Sequence, residues 1–440
     1  MSQEHSTDHS LNQGNGTGEN IPPVNQQKGP LDDPPFEPAE TRPTLFDRMQ
    51  ARQSTLYRGK QIPDDTEEDS DGVQTFEHVE GKQPVRSHDS IMRRRWRKFK
   101  SMKRGYYSFI LLIALYVLSF FLPLFVNNMP LMVTYKGETY FPAFADLIGS
   151  PYYPWEMFGR EGDESFVNFH ELEEQIKSDP DGENSIIMPP YSWDPLEGDY
   201  EEGVPPTKPS SRHIFGTDAT GRDVLARILY GFNISISFGL LLTLITFLLG
   251  TIVGAVMGYF GGLTDLITQR GIEVWQTLPA LYVIIIVSSI VIPNFFVLIL
   301  LLAAFGWMGM TYFMRGEFYR EKAKDYVAAA ISLGTKDSTI IFKHILPNSL
   351  TPLIATFPFA VVAGITSLVS LDFLGYGLPP PTPSWGEMLN VGLNNFSGNF
   401  QNWWLVIVPV TAMFFTLLMV TFIGEAIREA FDPKVFSRLR

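Results

Sequence analysis

Long stretches without charge constrain this chain more than anything else in it. Residues 228–264 and 274–314 hold no Asp, Glu, Lys or Arg, and further apolar runs begin near residues 106, 350 and 405. A helix needs roughly twenty apolar residues to cross the hydrocarbon of a bilayer. Averages over the chain conceal this. A net charge of -13 and a mean hydropathy of +0.03 would fit a soluble acidic protein. The residues are segregated instead, so the length rule for soluble domains does not apply.

The runs predict an all-α integral membrane protein with six transmembrane helices. Span one is placed at 106–126, and span two at 236–259 after an interfacial stretch around Val224–Leu229. Spans three and four, at 274–292 and 295–314, are separated by Pro293-Asn294. Spans five and six are placed at 350–369 and 405–423. Gly250, Gly254 and Gly258 recur every four residues in span two. That spacing puts them on one face, where another helix can approach closely.

Charge sets the expected orientation. Residues 1–90 are polar and acidic, with too few apolar groups to offset chain entropy, and are expected to be a disordered cytoplasmic tail; Thr44–Met49 could form a short helix within it. No cleavable signal peptide is expected, because the first apolar run starts too deep. Residues 91–126 form a basic juxtamembrane segment and the first span. The block from Arg93 to Lys100, with Lys103 and Arg104, is a positive-inside signal. Residues 127–225 are acidic, with Lys136, Arg160, Lys177, Lys208, Arg212 and Arg222 the bases between Tyr135 and Val224; they are expected to form a large extracytoplasmic loop or subdomain. Residues 226–434 form a core with five helices and a basic cytoplasmic loop at 315–348, and 435–440 a C-terminal tail. The loop at 372–404 has no Lys or Arg and falls outside, and Trp403-Trp404 marks an outer aromatic belt. Both termini are then cytoplasmic in a multi-pass protein of a bacterial inner membrane.

The segment 325–348 sits between spans yet reads as a charged helical stretch. Tyr326, Ala329, Ala330 and Leu333 are spaced to share a helical face. Ala328, Ala329 and Ala330 keep that helix narrow. Gly334 supplies a turn, and a second helix from about Asp337 is expected to end at Pro347. Such a helix-turn-helix on the membrane surface can enter a partner's groove. Arg270 and Glu273 are spaced as an ion pair. Asp372, beyond span five, can contact a cationic group in a pathway or hold a helix end or loop. His344 can bond to a partner or cap the second helix.

Other chemistry finds little support. The chain has no cysteine, which removes disulfides, Cys-ligated zinc and thiol catalysis. No Gly-x-x-x-x-Gly-Lys-Ser/Thr phosphate loop occurs. No metal spacing, hydrolase elbow or nucleic-acid groove is evident, so no metal, cofactor, nucleic acid or catalytic residue is expected for this chain.

Three stretches carry a family resemblance. ABC-importer permeases have a cytoplasmic loop of Glu-Ala-Ala, three residues, Gly, nine residues, an apolar residue, any residue, then Leu-Pro. This chain has Ala328-Ala329-Ala330, Gly334, His344 and Leu346-Pro347 at those places; Ala328 replaces Glu and His344 the apolar residue. The stretch from Phe215 to Leu225 resembles the Gly-Thr-Asp-x-x-Gly-Arg-Asp opening of the dipeptide and oligopeptide permease core. The stretch from Leu371 to Leu389, with Asp372, Gly375 and Trp385, resembles the same family's Phe-Leu-Gly-x-Gly…Pro-Ser-Trp-Gly-x-Met-Leu segment. The match is most similar to permeases of microcin C-type peptide transporters. The resemblance implies a type I ABC-importer fold and a transport subunit that is not itself an enzyme. It also implies a homologous permease partner, two ATPase subunits or domains binding ATP and Mg, a periplasmic peptide-binding protein and contact with membrane lipid. Tyr326, Ala328, Ala329, Ala330, Gly334, His344, Leu346 and Pro347 would couple to the ATPase, and Asp372, Gly375 and Trp385 would be candidates for the translocation path. The cargo would be oligopeptides, including microcin C-like peptides. A similar machine for nickel, an opine or another small solute remains open, as does a membrane-anchored scaffold or receptor.

Overall fold

The computed structural model describes residues 91–149, 152–178, 182–396 and 401–432. The expected tail at 1–90, its short helix at Thr44–Met49 and the tail at 435–440 lie outside the described residues.

The helices follow the uncharged runs but not their expected limits. Helix α1 (Ile91–Ser101) is amphipathic, and its Phe99 packs on Ala426 and Ala430. Helix α2 (Lys103–Ser119) stops seven residues before the expected end of span one, where a turn leads to the short α3 (Leu122–Phe125). The Leu122-Pro123 pair accounts for the break, since proline suits a helix's first turn.

The segment between α3 and the core is not all-α. Strands β1 (Met132–Tyr135), β2 (Glu138–Tyr140) and β3 (Ser185–Ile187) form an antiparallel sheet in the order β2-β1-β3, with Val133 opposite both Tyr140 and Ile186. Helices α4 (Pro142–Gly149) and α5 (Phe169–Ser178) accompany it. Val133, Trp155, Phe158, Phe169 and Leu172 build a small core of their own. Three- and four-residue strands give too short an alternation for sequence periodicity to show.

Helix α6 (Val224–Phe260) is one continuous helix of 37 residues, so the expected interfacial stretch is its first turns. Asp223 caps it by accepting from the Ala226 amide at 2.7 Å, and no proline interrupts the run. Helices α7 (Gly262–Gln276) and α8 (Ala280–Ile290) follow, bent by 65° at Thr277–Pro279. Span three at 274–292 is therefore half of a broken pair. Helix α9 (Phe295–Lys322) runs past Met314 into the charged stretch. Helix α10 covers Asp325–Ser332. The turn α11 (Asp337–Thr339), a π-helical turn (Ile340–Ile345) and α12 (Leu346–Phe373) join into one helical run, Asp337–Phe373. Pro347 does not end the second helix of the loop, because it occupies the first turn of α12, where no amide partner is needed. Helices α13 (Trp385–Asn394) and α14 (Trp404–Phe431) complete the described chain. Among the described residues four helices are long and apolar enough to cross a membrane, or five if α7–α8 is one span.

Helix α6 makes its most extensive pairing with α9. A Cβ at Gly250 would lie 2.6 Å from Met310 Cβ, one at Gly254 2.6 Å from the Thr311 carbonyl, and one at Gly258 2.5 Å from Phe318 Cβ. Each is closer than carbon and oxygen atoms pack. Replacing Gly254 by Leu should overpack this seam and cost about 1–3 kcal/mol. Gly309→Ala, where a Cβ meets nothing within 4 Å, should be neutral. Thermal midpoints of the two variants in detergent check this.

Candidate functional site

The chain carries two clusters of polar chemistry, one at each end of α6. At the end of α6 beside Tyr259, α10 buries Val327 and Ala330 against Phe318, Tyr259, Ile340 and Ile345. Tyr326, Ala328, Ala329, Ile331 and Leu333 are exposed, with Leu333 at 85%. The face expected to unite Tyr326, Ala329, Ala330 and Leu333 therefore splits. Ala330 turns into the core beside Val327, and the others face outward. Gly334 has φ +69°, a left-handed conformation, and the Thr335 amide reaches the Ala330 carbonyl at 3.1 Å to close the helix.

The knob is fixed to its base by side-chain bonds. The Tyr326 hydroxyl donates to Glu321 Oε2 at 2.9 Å and accepts from Asn348 Nδ2 at 3.2 Å. Asn348 Nδ2 also donates to the His344 carbonyl at 2.9 Å. It is thus the backbone of His344 that joins the network. Leu346 adds partly buried apolar surface to the core beneath α10, while Pro347 is exposed. Tyr259, near the end of α6, donates to Asp337 Oδ1 at 2.6 Å. Asp265 of α7 accepts from Arg315 at 2.6 Å and Tyr319 at 2.7 Å. Arg270 and Glu273 form the expected ion pair, at 2.5 Å. The loop is therefore tied to α6, α9 and α12, and α7 is joined in turn to α9.

At the other end, where α6 begins, the Gly-Thr-Asp and Pro-Ser-Trp-Gly stretches meet. Arg222 Nε donates to Asp218 Oδ2 at 2.8 Å, and its Nη2 donates to Glu387 Oε1 at 3.2 Å. Arg227, fully enclosed, donates to Glu387 Oε2 and, at 3.2 Å, to the Pro195 carbonyl. Two arginines, Arg222 just before α6 and Arg227 on its first turn, thus share one carboxylate on α13. His213 sits between Asp199 at 3.0 Å and Asp223 at 2.9 Å. Tyr191 donates to the same Asp223 oxygen at 2.6 Å. Among the described residues no group of three or more His, Asp or Glu could hold a metal ion.

The three path candidates are placed differently from one another. Asp372 is buried and spent on its own loop, accepting from the Leu378 amide at 2.6 Å and from the Ser384 hydroxyl. Of the two roles expected for it, this geometry is that of the loop bond. Trp385 is also buried and donates its indole N–H to the Ile228 carbonyl at 3.2 Å, pinning α13 to α6. Gly375 is exposed in a turn with φ +81°. Trp404 is not a belt residue, because its indole is buried and donates to the Thr217 carbonyl at 3.2 Å; Trp403 is exposed.

Sequence reasoning missed Arg227, Glu387, His213 and Asp199. Glu387 was visible as an acid in an otherwise uncharged stretch, next to a motif. His213 and Asp199 gave no signal, since fourteen residues of irregular chain separate them.

Two predictions follow from this cluster. Glu387→Gln leaves two buried arginines short of charge, and should cost about 3–5 kcal/mol, read as loss of folded protein or a lower thermal midpoint. The second concerns pH. Burial disfavours a charged His213, but the carboxylates of Asp223 and Asp199 outweigh it and hold its pKa above the ordinary value of about 6.5. The charged, doubly held ring therefore stabilises the fold fully below that value, and this is lost as pH rises through the raised pKa. Burial likewise opposes ionisation of Asp199, but bonds from the Glu201 amide, His213 and Arg212 hold its pKa down, so its contribution is lost only in acid. The thermal midpoint should fall as pH rises above about 6.5, and His213→Gln should flatten that slope.

Known proteins resemble this chain over the parts just described. The profile of the family described as "Binding-protein-dependent transport system inner membrane component" matches residues 250–437. The "Peptidoglycan transport system permease protein YejE" of Agrobacterium fabrum is 38% identical over 369 residues, 78% of this chain and 93% of the relative. The "Inner membrane ABC transporter permease protein YejE" of Escherichia coli is 39% identical, over 77% of this chain and 96% of that protein. The "Dipeptide transport system permease protein DppC" of Bacillus subtilis is 39% identical over 53% of this chain and 72% of its own length. Family profile, near-complete coverage of two relatives and the membrane-spanning helices agree: the chain belongs to the inner membrane components of binding-protein-dependent transport systems, the multi-pass permeases of ABC transporters.

Proposed function

We propose that this chain is one of a pair of permease subunits in an ATP-driven importer of oligopeptides, microcin C-like peptides among them. The observation that carries the reading is the exposed knob around Ala329 and Gly334, held by side-chain bonds to three helices. A separate ATPase unit docks there, and its ATP- and Mg-dependent closure moves the knob. The bonds of Tyr326 and Asp337 pass that motion to α9, α12 and α6, and Asp265 links α9 to α7. This chain supplies path and lever; two ATPase units split ATP, and a periplasmic peptide-binding protein delivers cargo. Peptide cargo is supported by relatives named for dipeptide, oligopeptide and glutathione transport.

Six spans with both termini inside is the arrangement that fits the contacts. Helix α2 and the α7–α8 pair join the four long helices. The Tyr259–Asp337 bond, the Arg315–Asp265 pair and the Lys98–Glu429 pair fall at one end of the bundle. The Arg222–Glu387 pair and the Trp404–Thr217 bond fall at the other. Basic α1 and the docking loop share the first end, which is the cytoplasmic one by the positive-inside rule. The acidic segment with its small sheet shares the second.

Reconstituted transport tests the reading. Ala329→Trp or Gly334→Leu should weaken ATPase docking about tenfold and lower ATP-driven uptake of labelled tripeptide in proteoliposomes accordingly. Uptake equal to wild type in both variants would sink the proposal.

A further inference from the structure

Two cavities share a wall at the cytoplasmic end of the bundle. One, about 560 Å³, lies among Arg95 of α1, Arg320 and Lys324 of the α9 end, Thr351 of α12 and Arg428 of α14. The other, about 320 Å³, is apolar and lies among Met92, Trp96, Phe99, Phe109 and Ile427. Arg95 and Phe431 line both, with the guanidinium 4.6 Å over the ring.

The first cavity is cationic. Its four bases face two acids, Glu321 and Asp432; Lys324 is bonded to Glu321 at 2.7 Å and Arg320 is paired with Glu317, which leaves the charge of Arg95 and Arg428 for a ligand. Arg428 makes no ion pair among the described residues. The second cavity leads away from that charge. Phe109 stands six residues along α2 from Lys103, roughly 9 Å deeper at 1.5 Å per residue. Helices α12 and α14 form the far wall and are long and apolar enough to span.

A soluble anion complements only the basic half of this groove, and a neutral lipid only the apolar half. An anionic amphiphile complements both. We propose that the joined cavities bind one anionic phospholipid of the inner leaflet, its phosphodiester at Arg95 and Arg428 and an acyl chain along Trp96, Phe99 and Phe109. Basic pockets between spanning helices are suited to such headgroups. The placement has a functional edge, resting on the docking role proposed above. Glu321 and Asn348, which hold Tyr326 of the knob, also line the basic cavity. The headgroup therefore sits on the base of the knob and braces it.

Binding can be read without ATP, peptide or transport, so its failure would leave the permease reading untouched. The full-length chain with its co-purifying subunits, in neutral detergent, is titrated with phosphatidylglycerol or phosphatidylcholine brominated on the acyl chains. The signal is quenching of Trp96, taken as the difference between wild type and Trp96→Phe. Phosphatidylglycerol should quench at about tenfold lower concentration than phosphatidylcholine. Arg95→Gln with Arg428→Gln should erase most of that preference while the thermal midpoint and quenching by phosphatidylcholine persist. Arg428→Lys, which keeps the charge, should retain it. Equal quenching by the two lipids, or an unchanged preference in the double glutamine variant, would overturn the proposal. Displacement of the lipid by millimolar inorganic phosphate would overturn it in favour of a free-anion site. Quenching seen only after removal of residues 1–85 would overturn it in favour of the acidic run Asp64–Asp71 as occupant.

Discussion

One carboxylate shared by two arginines holds one end of this protein together. Glu387 belongs to α13, a helix lodged between two long spans; Arg222 and Arg227 stand on either side of the start of α6. Each ion separately would be expensive to enclose. Together they offset one another's charge; Asp218 and the Pro195 carbonyl accept further bonds, while Arg227 Nε lies 3.6 Å from Asp218 as an ion pair without a hydrogen bond. The arrangement fixes where α6 begins, how α13 lies against it and where the acidic segment is attached. His213, Asp199, Asp223 and Tyr191 extend it into that segment. Three sequence stretches far apart in the chain are thus made into a single rigid end.

The opposite end is built differently. Its bonds join neighbouring helices to a narrow loop but leave the apolar tip free. Tyr326, Tyr259 and Asp265 each connect two elements, so displacement of the loop cannot be confined to one of them. The glycine seam between α6 and α9 couples the two long helices closely along their inner halves. A rigid outer end, a close-packed shaft and a projecting inner tip are the mechanical parts that a driven permease requires.

Much of this was legible in the residues. Uncharged runs give spanning helices because hydrocarbon tolerates few charges, and that rule acts locally. The glycines at 250, 254 and 258 show their face directly, and Gly334 its turn. Boundaries were harder. The continuous α6 and the helical passage through Pro347 depend on a cap and on a proline's place in a first turn, which an apolarity scan does not weigh. The 65° bend after Gln276 falls inside an uncharged run, where hydropathy is silent. The small sheet at 132–187 has strands too short for alternation to register. Asp372 allowed two roles on paper, and only the positions of Leu378 and Ser384 give it partners. The ionic cluster was visible as separate motifs; their convergence needed the fold.

Helix α6 is longer than the membrane is thick. At 1.5 Å per residue its 37 residues extend about 56 Å, against roughly 30 Å of hydrocarbon. One end is clamped by ions and the other is linked to the docking loop. Such a stiff rod acts as a pointer: a rotation of only ~5° about the clamp would carry its free end through about 5 Å. Small rearrangements at that end would then move the whole rod, and little internal deformation of the chain would be needed.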